Sequence, residues 1–184
     1  MCIRDSSGID GRSTARAIAN FGRKGGGSTI TQQLSKLFFT NKSRNPIKRI
    51  YQKLQEWVIA VQFEKRYTKE EIIAMFLNKM EFNNDAVGIG SAAKTYFGKD
   101  QGQLNIEEAA VLIGMLKSPT VYNPVTRPEN ALKRREVVLS QMKRVGKLTQ
   151  SEYDSIRVAP MTMDKFNRTD HVKGPAPYLS LIHI

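Results

Sequence analysis

Apolar residues recur every three or four positions along almost the whole chain, and most recurrences are introduced by a helix-start signal. Ser28 or Thr29 caps a helix with Ile30, Leu34, Leu37 and Phe38 on one face. Asn45-Pro46 starts a second, whose apolar side is Ile47, Ile50, Tyr51, Leu54, Val58 and Val61. Thr68 and Glu71 form a capping box for a third, running to about Asn78. Residues 88–97 read as a short helix ended by Gly98, and Asn105 with Glu108 introduces an apolar helix over 109–116. After three prolines in 118–128 come a helix over 129–145, stopped by Gly146, and one more capped by Thr149 with Glu152. No repeat and no alternating hairpin series is present. The pattern predicts a mainly α fold. Beyond Ile156 it dissolves, and 157–178 is expected to be a linker.

The two ends read as adapter rather than protein. One codon string for Met1-Cys2-Ile3-Arg4-Asp5-Ser6 is ATG TGT ATA AGA GAC AG. Its reverse complement reads Leu-Ser-Leu-Ile-His, and the chain closes Leu179-Ser180-Leu181-Ile182-His183-Ile184. Residues 1–6 and 179–184 are therefore expected to be adapter-derived, with both natural termini lost. The only cysteine, Cys2, falls in that segment, so neither a disulfide nor a thiolate metal site is expected.

A net charge of +12 points to a polyanionic partner: nucleic acid, an anionic membrane surface or a pyrophosphate. Charge alone does not choose among them. No apolar run approaches the roughly 18 residues needed to span a bilayer.

Two stretches could carry chemistry. Gly25-Gly26-Gly27-Ser28-Thr29 runs directly into a helix. Glycines let a backbone approach a ligand closely, and the helix start offers free N–H groups and the positive end of a dipole, a natural anion site. Thr29, Gln33 and Lys36 share one polar face of that helix. On the next helix Arg49, Lys53, Glu56 and Ala60 are spaced by four, three and four, a stripe on which two cations could grip a pyrophosphate and hold an ordered acid. From these residues alone, a flexible glycine loop and a solvated helix face stay open as alternatives. Glu64, Lys65, Arg66 and Lys69 read as a solvated charge run. Arg134 and Arg135 are ambiguous between surface and ligand contact. His171 has no partner at metal-ligand spacing.

Gly26 to Leu34 with Lys36 resembles the second signature motif of family 51 of the glycosyltransferases, the glycan-polymerising domain of class A penicillin-binding proteins. Lys53-Leu54-Gln55-Glu56, Ala60 and Glu64 resemble the third motif. Lys69, Ile72, Ile73, Phe76, Leu77 and Asn78 resemble the fourth, and Arg134-Arg135 with Val138, Leu139 and Met142 the fifth. Ser7-Gly8-Ile9-Asp10 is similar to the tail of the first motif, whose glutamate is the family's general base. That glutamate would lie a few residues before Ser7. Gln52, Ala74 and Phe76 depart from the usual arginine, glutamate and tyrosine.

The resemblance implies a lysozyme-like, mainly α glycosyltransferase domain over 7–156, with 157–178 leading toward a transpeptidase domain. His171, Lys173, Gly174, Ala176, Pro177 and Tyr178 are similar to that lead-in. It implies polymerisation of lipid II with release of undecaprenyl pyrophosphate on the outer face of the cytoplasmic membrane. The partners are then lipid II, the lipid-linked glycan chain and the membrane, with no nucleic acid, and the anchor would lie upstream. Gly27, Ser28, Thr29, Gln33, Lys36 and Arg49 are the implied substrate contacts. Lys53 would stabilise the leaving pyrophosphate. Glu56 would order Lys53 or a divalent cation (Mg or Mn), no cofactor being strictly required. With its base upstream, the chain on its own is expected to be inactive. A nucleic-acid binder and a glycan-cleaving enzyme of related fold are the competing classes; the first lacks aromatics interleaved with its basic clusters.

Overall fold

The computed structural model describes residues 28–39, 45–161 and 163–167, with the side chains of 46, 47, 49 and 50 outside that description. The expected adapter ends, the first-motif tail, Gly27, the Arg49 side chain, and residues 168–178 of the expected linker lie outside the described residues. The chain divides into two compact units between Lys79 and Met80. Among the described residues there are seven α-helices and no strand, in line with the mainly α expectation.

The first unit holds α1 (Ile30–Phe39), α2 (Pro46–Arg66) and α3 (Lys69–Lys79). Thr29 caps α1, its hydroxyl accepting from the Gln32 N–H at 3.2 Å. Pro46 opens α2, where its missing N–H costs nothing. The Thr68–Glu71 capping box forms, the Thr68 N–H donating to Glu71 Oε2 at 2.8 Å.

The caps are where the sequence puts them, but the apolar faces are not. On α1 only Leu34 of the predicted face is fully buried; Leu37 and Phe38 are exposed, while Thr31, Gln32 and Ser35 are buried. On α2, Tyr51, Leu54 and Val58 of the predicted apolar side are out, at 63%, 51% and 64% exposed. Of the stripe read as polar, Glu56 and Ala60 are in, at 5% and 0% exposed. The reason is local. α1 packs against both α2 and α3, and small side chains at Thr31, Ser35 and Ala60 let backbones close up where larger ones would hold them apart. Their hydroxyls find partners inside, Ser35 Oγ donating to the Thr31 carbonyl at 2.9 Å. The displaced aromatics gather outside, Phe38, Phe39, Phe63 and Tyr67 stacking with ring centroids 5.6–6.5 Å apart.

The second unit holds α4 (Ile89–Phe97), a 3-10 turn (Gln101–Gln103), α5 (Ile106–Met115), α6 (Pro128–Arg144) and α7 (Gln150–Val158). Its main core is Phe82, Ala92, Tyr96, Phe97, Leu112 and Met115. Gly98 ends α4 with φ 62°, as its position predicts. Asn83, Asn84 and Asp85 take φ of 61°, 51° and 62°, three consecutive left-handed residues of the types that tolerate it. The buried Tyr96 hydroxyl ties this turn down. It donates to the Phe82 carbonyl at 2.6 Å and accepts from Asn84 Nδ2 at 3.0 Å and Asn123 Nδ2 at 3.5 Å. Burial pushes its pKa up to about 12, against the two amide donors. Residues 163–167 lie back on α4: Phe166 stacks on Tyr96 at 5.8 Å, and the Asn167 N–H donates to the Thr95 carbonyl at 2.9 Å.

Candidate active site

In the first unit, Lys53, Glu56 and Ser28 come together. One turn of α2 separates Lys53 from Glu56, and the Lys53 amine lies 2.7 Å from Glu56 Oε2. The same amine donates to Ser28 Oγ at 3.0 Å. Burying a carboxylate is costly unless it is paired and hydrogen-bonded. Lys53 supplies that pairing while its side chain stays 39% exposed. The result is a cation held by a buried acid below it and by the start of α1 beside it.

That start is ordered by short-range bonds. Thr29 is buried in its capping role, and Gln33 Nε2 donates to the Ser28 carbonyl at 3.4 Å. Unfilled N–H groups at a helix start favour an anion there, and Lys53 adds a full charge at the same place. Ser28, Thr29, Gln33, Lys53 and Glu56 are thus brought to one site. Lys36 is not: it is exposed on the last turn of α1.

Glu64 departs from the solvated charge run. Lys65 and Arg66 are exposed as read, but Glu64 is half-buried and its Oε1 accepts the buried Thr31 hydroxyl. The signal was present in the sequence as the four-residue spacing Glu56, Ala60, Glu64 on one face of α2.

In the second unit the fifth-motif arginines split. Arg135 is 4% exposed, and its Nη2 donates to the Arg157 and Ala159 carbonyls at 3.3 and 2.8 Å. It clamps the end of α7 and is not a surface residue. Burial lowers its pKa, opposed by Glu107. Arg134 lies 5.7 Å from the Tyr122 ring centroid, and Lys117 lies 5.6 Å from the same ring. A cavity of about 310 Å³ is lined by Arg135, Tyr96, Met161 and the Lys99–Glu108 ion pair, among others.

Among the described residues no three His, Cys, Asp or Glu side chains converge as metal ligands. A divalent cation at Glu56 would need ligand phosphates for most of its shell.

The sequence model of the family described as transglycosylase matches residues 3–143. The chain belongs to the transglycosylase family. Penicillin-binding protein 1A/1B of Bacillus subtilis is 43% identical to this transglycosylase over 150 residues, 81% of this chain and 16% of that protein. Penicillin-binding protein 1A of Escherichia coli is 38% identical over 155 residues, 84% of this chain and 18% of its own length. The crystal structure of penicillin-binding protein 1A from Haemophilus influenzae superposes with a TM-score of 0.50 at 28% identity, over 76% of this chain and 17% of that one. The transglycosylase chain thus spans under a fifth of these relatives.

Proposed function

We propose that this transglycosylase is a peptidoglycan glycosyltransferase. It transfers a growing, lipid-pyrophosphate-linked glycan to the 4-hydroxyl of the next lipid-linked disaccharide, and undecaprenyl pyrophosphate leaves. The reaction needs a base for the hydroxyl and positive charge for the departing phosphates. The observation that carries the reading is the Lys53 amine, held between Glu56 and Ser28 at the start of α1. Lys53 stabilises the developing phosphate charge. Glu56 keeps that amine oriented, and Ser28, Thr29 and Gln33 bound the donor's phosphate region, with Gly27 and Arg49 as further contacts. Glu56 would be the residue to hold a divalent cation, which would supply further positive charge for the leaving pyrophosphate.

Neither Glu56 nor Glu64 suits the role of base, since one holds a lysine and the other a threonine hydroxyl. We assign that role to a glutamate of the first motif, ahead of the tail that Ser7-Gly8-Ile9-Asp10 resembles. The bilayer is the second partner, at the outer face of the cytoplasmic membrane. Support comes from the exposed aromatic cluster on α1 and α2, with Leu54 and Val58, and from the charge of +12, which attracts anionic headgroups. The intact protein would also carry a transpeptidase domain.

The test supplies lipid II to the chain extended upstream and follows glycan length. Elongation supports the reading. Degradation of finished cell wall, with no elongation, would replace it with a lytic enzyme.

A further inference from the structure

The face of α1 that meets its neighbours is poor in apolar area. Its buried residues are Thr31, Gln32, Leu34 and Ser35, of which only Leu34 is a hydrophobe. Hydrophobic burial is non-directional and scales with area, so neither Leu34 nor the contacts of Phe38 and Phe39 with Phe63 fix α1 against sliding or turning. Yet the proposed site needs Ser28 beside the Lys53 amine to within hydrogen-bonding distance. Something directional must fix α1 on α2.

We propose that Glu64 is the positioning residue that does this. Its carboxylate accepts the hydroxyl of Thr31, a residue 3% exposed and one helical turn from Ser28. Glu64 continues the stripe of Glu56 and Ala60, and Ala60 leaves the space through which the two helices approach. A hydrogen bond to a charged acceptor is stronger and more directional than the apolar contact around it. The Thr31–Glu64 bond and the Ser28–Lys53 bond together pin α1 at two points, which fixes both its rotation and its position along its axis. Glu64 touches no substrate; it acts through Thr31 on the placement of Ser28.

The inference rests on the reading of Lys53 as a pyrophosphate-binding cation, so the test separates the two. Geranyl pyrophosphate serves as the probe, titrated calorimetrically into the full chain, with geraniol as control. Lys53→Ala should abolish the preference for the pyrophosphate. Glu64→Ala and Thr31→Val should each weaken binding about fivefold, the scale of one lost hydrogen bond, and the double variant no further. Glu64→Gln should bind nearly as the parent does, since its amide oxygen still accepts the hydroxyl. In a Ser28→Ala background, Glu64→Ala should add nothing. Unchanged binding in Glu64→Ala where Lys53→Ala fails overturns the proposal, and so do losses that multiply in the double variant. The Lys53 amine resonance gives a ligand-free reading: Glu64→Ala must shift it and Glu64→Gln must not. If Lys53→Ala binds as the parent does, the pyrophosphate reading falls, and the resonance alone decides whether Glu64 positions Ser28.

Discussion

The Lys53 amine sits 2.7 Å from a Glu56 carboxylate that is almost wholly buried, on the face of α2 that reads as polar in the sequence. A carboxylate is inside this unit, while Phe38 and Phe39 are outside it.

Lys53→Ala, made in the chain extended upstream, should lower polymerisation by roughly a hundredfold or more, as for other groups that stabilise developing charge. It should also lower stability, by about 1–3 kcal/mol, because Glu56 is left buried without its partner. Glu56→Gln should impair turnover with a smaller effect on melting. Near-normal turnover in both variants would return this stripe to an ordinary structural ion pair.

Phe39 is 63% exposed, so Phe39→Ser should shift stability by no more than about 0.5 kcal/mol, as surface changes generally do. It should nonetheless weaken co-sedimentation with anionic vesicles. High salt should weaken it too, through screening of the basic charge. Binding to neutral and anionic vesicles alike would remove the electrostatic contribution.

Tyr96 gives a pH signature. An unfolded tyrosine ionises near 10, whereas burial in the folded chain raises the value to about 12. The folded state therefore keeps a proton that the unfolded state loses. The stability this confers is complete below pH 10 and is lost as pH rises through 12, at about 1.4 kcal/mol per pH unit in between. Tyr96→Phe should be less stable at neutral pH, since Asn84 loses its acceptor, yet should fall less steeply in that alkaline window. Parallel pH profiles for the two proteins would rule this out.

Arg135→Leu should cost about 1–3 kcal/mol by leaving the Arg157 and Ala159 carbonyls without their donor. Denaturant melts of the two chains give the comparison. A loss well below that range would mean that water replaces the guanidinium.

Helix starts were legible in the sequence because a cap is a local event: Thr68 with Glu71 and Thr149 with Glu152 bond within one turn whatever surrounds them. Lys53 and Glu56 were legible as a pair for the same reason. Which side of α2 faces inward was not, because that depends on what packs against it, and period alone assigns the apolar side to the core. Val58 and Glu56 exchanged their expected places for this reason. Arg135 was missed differently: its partners are carbonyls 22 and 24 residues away, and carbonyls leave no trace in residue type. Gln33 and Ser28 were placed by resemblance, and their mutual bond is a detail that only the fold supplies.

The inverted faces of α1 and α2 separate two properties that usually travel together. Replacing Phe39, Tyr51 or Val58 with polar residues should make the protein easier to concentrate and leave its melting point nearly where it was. An engineer scoring yield and heat tolerance would record an improvement. If the exposed side chains are what bring the chain to a substrate dissolved in a thin film, the improved protein would have traded a search over a surface for one through a volume, and its failure would show in neither score.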